Sequence, residues 1–216
     1  MTHFSDGVRA GRNFANNGTA SQPGVFMSPI NVYDIVPAAL VTNGICAQQT
    51  ITGAANAVIN GSLASGGVAT LDVPRNVIVD AAGAATAVLT IFGTDTYGIP
   101  MSEAITLNGT TAVAGKKAFK TITRIASSAT ATDIFVGTGD VFGLPIDANT
   151  RNYVLTAWNG AFVTTGTFVG ADATTATTTT GDVRGTYAVP DAADASKRLT
   201  LWVFVLDDDT CLLYTS

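Results

Sequence analysis

The residues in this chain that could carry chemistry are few, and their spacing does not suit it. Nucleophilic catalysis needs a histidine bonded to the nucleophile and held by a third group. The single histidine, His3, lies in a terminal stretch rich in glycine and asparagine, with no element to hold it. A glycosidase needs two carboxylates at a fixed separation across a sugar cleft. Asp95, Glu103, Asp133 and Asp140 are the acids on offer, and placement at turns or strand edges explains each of them. The glycines from Gly137 to Gly143 match neither G-x-G-x-x-G nor a Walker loop, and Pro145 stands where a helix would have to follow, so they read as reverse turns. Asp207, Asp208 and Asp209 are adjacent rather than alternating, which suits a solvated acidic turn and not a calcium loop. Cys46 and Cys211 are far apart and in no zinc or CxxC spacing, so both are expected as free thiols. The reading is of a protein without enzymatic activity, catalytic residues, metal or cofactor.

Composition narrows the partners. The net charge of −5 and the sequence pI near 4.6 disfavour nucleic acid, whose binding is built from Lys and Arg neutralising phosphates. Lys116, Lys117 and Lys120 form the one basic cluster of note, and they read as a solvated strand edge that discourages edge-to-edge pairing. Mean hydropathy is +0.33, yet no apolar run approaches the roughly 20 residues a spanning helix needs, so no membrane role is expected. Residues 1–17 carry Arg9, Arg12 and Asp6 where an export signal would need an unbroken apolar core, so none is read there. A chain this apolar, with 12% charged residues, is expected to have much of its surface covered by neighbouring subunits.

The elements that would position these residues are strands. Val, Ile and Thr runs punctuated by turn residues predict strands near 49–51, 57–59, 68–71, 76–79, 86–92, 101–107, 119–125, 132–136, 153–158, 161–169, 183–187 and 199–206. Pro74 marks a strand start or an edge. Residues 93–98 read as a hairpin loop, and Asn159-Gly160 is the strongest short hairpin signal in the chain. Phe119, Ile122 and Ile125 are spaced by three, which fits a Thr-rich strand carrying a bulge. The 172–180 run is an exposed low-complexity loop with nothing to bury. These features predict an all-β fold, an antiparallel β-sandwich or barrel, spanning 46–206.

An irregular extended arm is expected over residues 1–45. Phe26, Ile30, Tyr33, Ile35 and Val36 are too apolar to be left in water, and Pro29 and Pro37 interrupt any helix. These five are the candidate interface residues, lying against a neighbouring copy or a larger shell. A homo-oligomer is expected, a trimer by preference. Residues 207–216 form a tail, and its last six residues resemble a translated adaptor sequence.

Val73-Pro74-Arg75-Asn76-Val77, Ile91-Phe92-Gly93-Thr94-Asp95-Thr96-Tyr97-Gly98, Glu103-Ala104-Ile105, Gly115-Lys116-Lys117-Ala118-Phe119-Lys120-Thr121-Ile122, the 137–145 stretch and Gly181-Asp182-Val183-Arg184-Gly185-Thr186-Tyr187 carry a family likeness. Across most of residues 70–206 the chain resembles small virion structural proteins of tailed bacteriophages, of the capsid decoration (cement) type. The resemblance implies a β-rich virion component, assembled in the host cytoplasm, whose partner is the major capsid protein. It brings no catalytic residues. A tail tube or fibre-associated virion protein is the alternative within that class. From another class, a carbohydrate-binding module would use exposed aromatics, for which Tyr97, Tyr153, Trp158 and Tyr187 are the candidates.

Overall fold

The computed structural model describes residues 30–148, 153–172 and 181–204. His3, Phe26, residues 173–180, the acidic turn at 207–209 and Cys211 with the rest of the tail lie outside them. The described chain forms β1 (Ile30–Ile35), β2 (Cys46–Ile51), β3 (Asn56–Ala57), β4 (Ala64–Ser65), β5 (Val68–Ala81), β6 (Val88–Thr94), β7 (Pro100–Thr106) and β8 (Val113–Ala114). It continues as β9 (Phe119–Ser127), β10 (Ala131–Gly143), β11 (Tyr153–Trp158), β12 (Ala161–Phe162), β13 (Thr167–Val169), β14 (Thr186–Ala188) and β15 (Leu199–Phe204). The fold is all-β, with no helix among the described residues.

The larger sheet runs β13-β14-β10-β5-β9-β6-β7, with β2, β3, β4 and β8 attached along it, and curls into a half-barrel. Alternation explains its inner face: Leu89 and Ile91 on β6, Met101 and Ile105 on β7, and Val77 and Val79 on β5 are buried in one core. The bulge expected from the spacing of Phe119, Ile122 and Ile125 is present. Phe92 pairs with Arg124 but Gly93 pairs with Ile122, so Thr123 is the extra residue and all three apolar side chains stay buried. The two strands predicted on either side of Pro74 are one strand, β5. Pro74 is tolerated because the β5–β9 ladder is irregular between Thr70 and Arg75, where no donor is required of it.

The smaller sheet, β1-β15-β11-β12, packs its inner face on the ends of β10 and β14. Leu199, Leu201, Val203 and Trp158 meet Phe142, Leu144 and Tyr187 there, forming a second core. Asn159-Gly160 closes the β11–β12 hairpin with both residues at positive φ, 51° and 80°, as a primed two-residue turn requires. Residues 30–35 depart from the irregular arm expected of them. They form a regular strand, because β15 from the far end of the chain supplies their ladder.

The 137–143 glycines are not turns either. They lie inside β10, where a side chain would collide with a neighbour. A Cβ on Gly137 would meet the carbonyls of Val41 and Thr42, and one on Gly139 would meet the Asn76 carboxamide. That carboxamide is itself committed, since Asn76 Oδ1 accepts from Val141 N at 3.0 Å and Nδ2 donates to Gly115 O at 2.8 Å. Gly139→Ala is therefore expected to cost about 2–3 kcal/mol in urea unfolding, the upper part of the overpacking range. A loss near zero would show that Asn76 can move aside freely.

Candidate interaction surface

The acids considered for catalysis each have a structural task. Asp95 accepts from Tyr97 N and Ile99 N, shaping the β6–β7 turn, and pairs with Arg184 at 2.8 Å. Glu103 faces inward from β7 and accepts from Lys116 N at 2.6 Å and Lys117 N at 3.1 Å. Asp133 accepts from Thr50 Oγ1 at 3.3 Å from a positive-φ position. Asp140 pairs with Arg75 at 2.9 Å and accepts from Ala193 N. Among the described residues no group of His, Cys, Asp and Glu is arranged to hold a metal. Cys46 is a free, buried thiol, and burial pushes its pKa up to about 11.

Two ionic nodes tie distant segments together. In the first, fully buried Arg75 donates Nε to Gly139 O at 2.6 Å, Nη1 to Ala38 O at 2.9 Å, and pairs with Asp72 and Asp140. Its guanidinium also lies 5.1 Å from the centre of the Phe142 ring. In one residue the node joins β5, β10 and the segment leading out of β1. The second node corrects the lysine reading. Lys116 is exposed, but Lys117 is fully buried and donates Nζ to Gly181 O at 2.8 Å. Asp182, the next residue, accepts from Ala118 N and Arg184 N, both at 2.9 Å. Burial raises the carboxyls of Glu103 and Asp182 and lowers the ammonium of Lys117, with each charge partly restored by the others. Lys120 is also committed, donating to the carbonyls of Leu71 and Asp72.

The smaller sheet presents an apolar face. Side chains alternate along β1, so Tyr33 and Ile35 point into the second core while Ile30 and Val32 are 55% and 58% exposed. Register places Val32 beside Trp202, and Trp202 beside Leu155. In the next row Asp34 lies beside Thr200, then Ala157, then Phe162. Phe162 is 74% exposed, and its ring packs at 5.7 Å on Trp202. Asp34 is the one charge these strands turn outward among the described side chains, and Arg198 at 2.7 Å and Thr200 at 3.1 Å bind it.

Of the five interface candidates, Ile30 and Val36 are exposed, Tyr33 and Ile35 are packed inward, and Phe26 lies outside the described residues. The Tyr33 hydroxyl is buried with no hydrogen-bond partner among the described residues, and burial pushes its pKa upward. Val32, Leu155, Phe162 and Trp202 were missed. The period-two alternation in residues 30–35 was the available signal for Val32, but the other three join the face only through pairing.

Among the described side chains, the aromatics considered for glycan stacking do not form a platform. Trp158 and Tyr187 are buried, and the side chain of Tyr153 lies outside the described residues. Tyr97 is exposed, but the Arg184 guanidinium covers its ring at 4.3 Å and its hydroxyl donates to Pro145 O. Comparison with known proteins returns no matching family model, no matching curated protein and no matching solved structure.

Proposed function

We propose that this chain is a non-enzymatic structural component of a tailed-bacteriophage virion, a decoration (cement) protein that binds the outside of the head through the apolar face of its smaller sheet. The observation that carries the reading is that face: neutral, apolar and mounted on a scaffold whose buried ion pairs hold it in shape. Exposed apolar side chains gathered into one patch mark a binding surface. Burying such a patch gains about 25 cal/mol per Å², against several kcal/mol lost in association. A single contact is therefore modest, and repetition over a shell suits it. The resemblance across residues 70–206 supports the virion context and names the major capsid protein as partner.

The test has two stages. Mass spectrometry of purified virions should find the chain in many copies, and purified protein added to shells lacking it should bind saturably. A Phe162→Asp variant that folds normally should lose at least ten-fold in shell affinity. Absence from virions, or a signal confined to tails, would overturn the head assignment. Unchanged shell binding by that variant would overturn the role of the face.

A further inference from the structure

The edges of the two sheets are not treated alike. Edge strands leave unpaired N–H and C=O groups that invite another chain, and proteins blunt them by shortness, proline or inward charge. Of the four strands that end the main paths of the two sheets, three are blunted in those ways. Among the strands that branch off the larger sheet, β3, β4 and β8 have two residues each, while β2 gives its Ala47 N–H to Asn60 Oδ1. β12 has two residues and β13 three, while β7 begins at Pro100 and turns Glu103 inward. The fourth edge is β1. It runs six residues in unbroken register with β15, has no proline or lysine within it, and no described residue hydrogen-bonds to its outer backbone.

We infer that β1 is a self-association edge, and that two copies of this chain pair β1 to β1 about a two-fold axis, joining their four-stranded sheets into one of eight. Strands related by a two-fold axis perpendicular to a sheet run antiparallel, so one strand meets its own copy with matching donors and acceptors. Charge favours a second copy here over a charged partner. The chain carries −5 overall, yet the outward charge on this strand, Asp34, is neutralised by Arg198 of the same chain, so two copies meet here without local repulsion. The geometry also has a consequence for binding. An axis perpendicular to the sheet puts both outer faces on the same side, so Ile30, Val32, Trp202 and Phe162 of each copy join one continuous apolar platform. A trimer would need two complementary surfaces, whereas this edge supplies one that complements itself.

The pairing is tested on the purified full chain, apart from any shell. Light scattering at tens of micromolar should give twice the 22.0 kDa chain mass. Hydrogen exchange should protect alternate amides of residues 30–35. Val32→Lys changes an exposed position, so its circular dichroism and urea midpoint should stay close to the parent while the dimer dissociation constant rises at least ten-fold. A monomeric or trimeric parent chain would overturn the inference. So would a Val32→Lys dimer of unchanged affinity, or a monomer that dimerises only once residues 1–29 are deleted, since that would assign the edge to the chain's own N-terminal segment.

Discussion

Arg75→Met should lower the unfolding free energy by about 3–5 kcal/mol, the range for a buried ion pair that loses one partner. The substitution keeps much of the aliphatic volume but takes a partner from four groups at once, Asp72 among them. Asp140 loses its counter-ion, and the carbonyls of Gly139 and Ala38 lose their donors. Burial already raises the Asp140 carboxyl despite Arg75, so without the guanidinium that carboxyl should protonate at a still higher pH. The loss should not be spread evenly. Arg75 links the half-barrel to the segment leaving the smaller sheet, so the variant should unfold less cooperatively, with a reduced dependence on urea concentration. Urea titration followed by tryptophan fluorescence would show it, because Trp158 and Trp202 both belong to the smaller sheet. A loss below about 1 kcal/mol with unchanged cooperativity would mean the two cores are coupled by apolar contact alone.

Lys117→Met should give a deficit that depends on pH. Glu103 and Asp182 have folded-state pKa values raised by burial above their unfolded values. The native state therefore holds more protons than the unfolded state between those values, and their contribution to stability falls as pH rises through that window. Lys117 limits the rise by its charge, and removing it widens the window upward. The variant should thus come closest to the parent at the acid end, since protonation of the raised carboxyls removes the charge that Lys117 balances. It should fall behind by on the order of 3 kcal/mol at pH 8, where the buried Glu103 and Asp182 carboxylates keep only the weaker attraction of Lys116 and Arg184. At the acid end, relief of the buried ammonium's own desolvation works in the variant's favour. Urea midpoints measured from pH 4 to pH 8 would settle it. A deficit that is constant with pH would point to lost packing rather than lost charge.

Much of the strand content was legible because strand periodicity is local. Alternation of Ala87, Leu89 and Ile91 with Val88, Thr90 and Phe92 needs no partner to be read, and neither does the three-residue spacing that signalled the β9 bulge. Asn159-Gly160 announced its hairpin because only such residues accept two successive positive φ angles cheaply. Glycine was harder, because it serves both turns and close approach. Gly137 and Gly139 look like turn residues until the segments that crowd them, 41–42 and Asn76, are in place.

What the sequence by itself determined is the all-β character, the approximate strand positions and the scarcity of histidine and of charged side chains. Each of these follows from residue type and short-range spacing. What only the tertiary structure decided is the use of the charges and the make-up of the exposed face. Lys117 reads as a solvated lysine until a carbonyl 64 residues away accepts its hydrogen bond and the charges of Asp182, Glu103 and Asp172 act on it. Residues 30–35 read as an irregular arm until β15 supplies the ladder that sorts Tyr33 and Ile35 inward and Ile30 and Val32 outward. The physical reason is the same in both cases. Burial of a charge and pairing of a strand are settled by what the rest of the chain brings alongside, and those partners are distant in sequence.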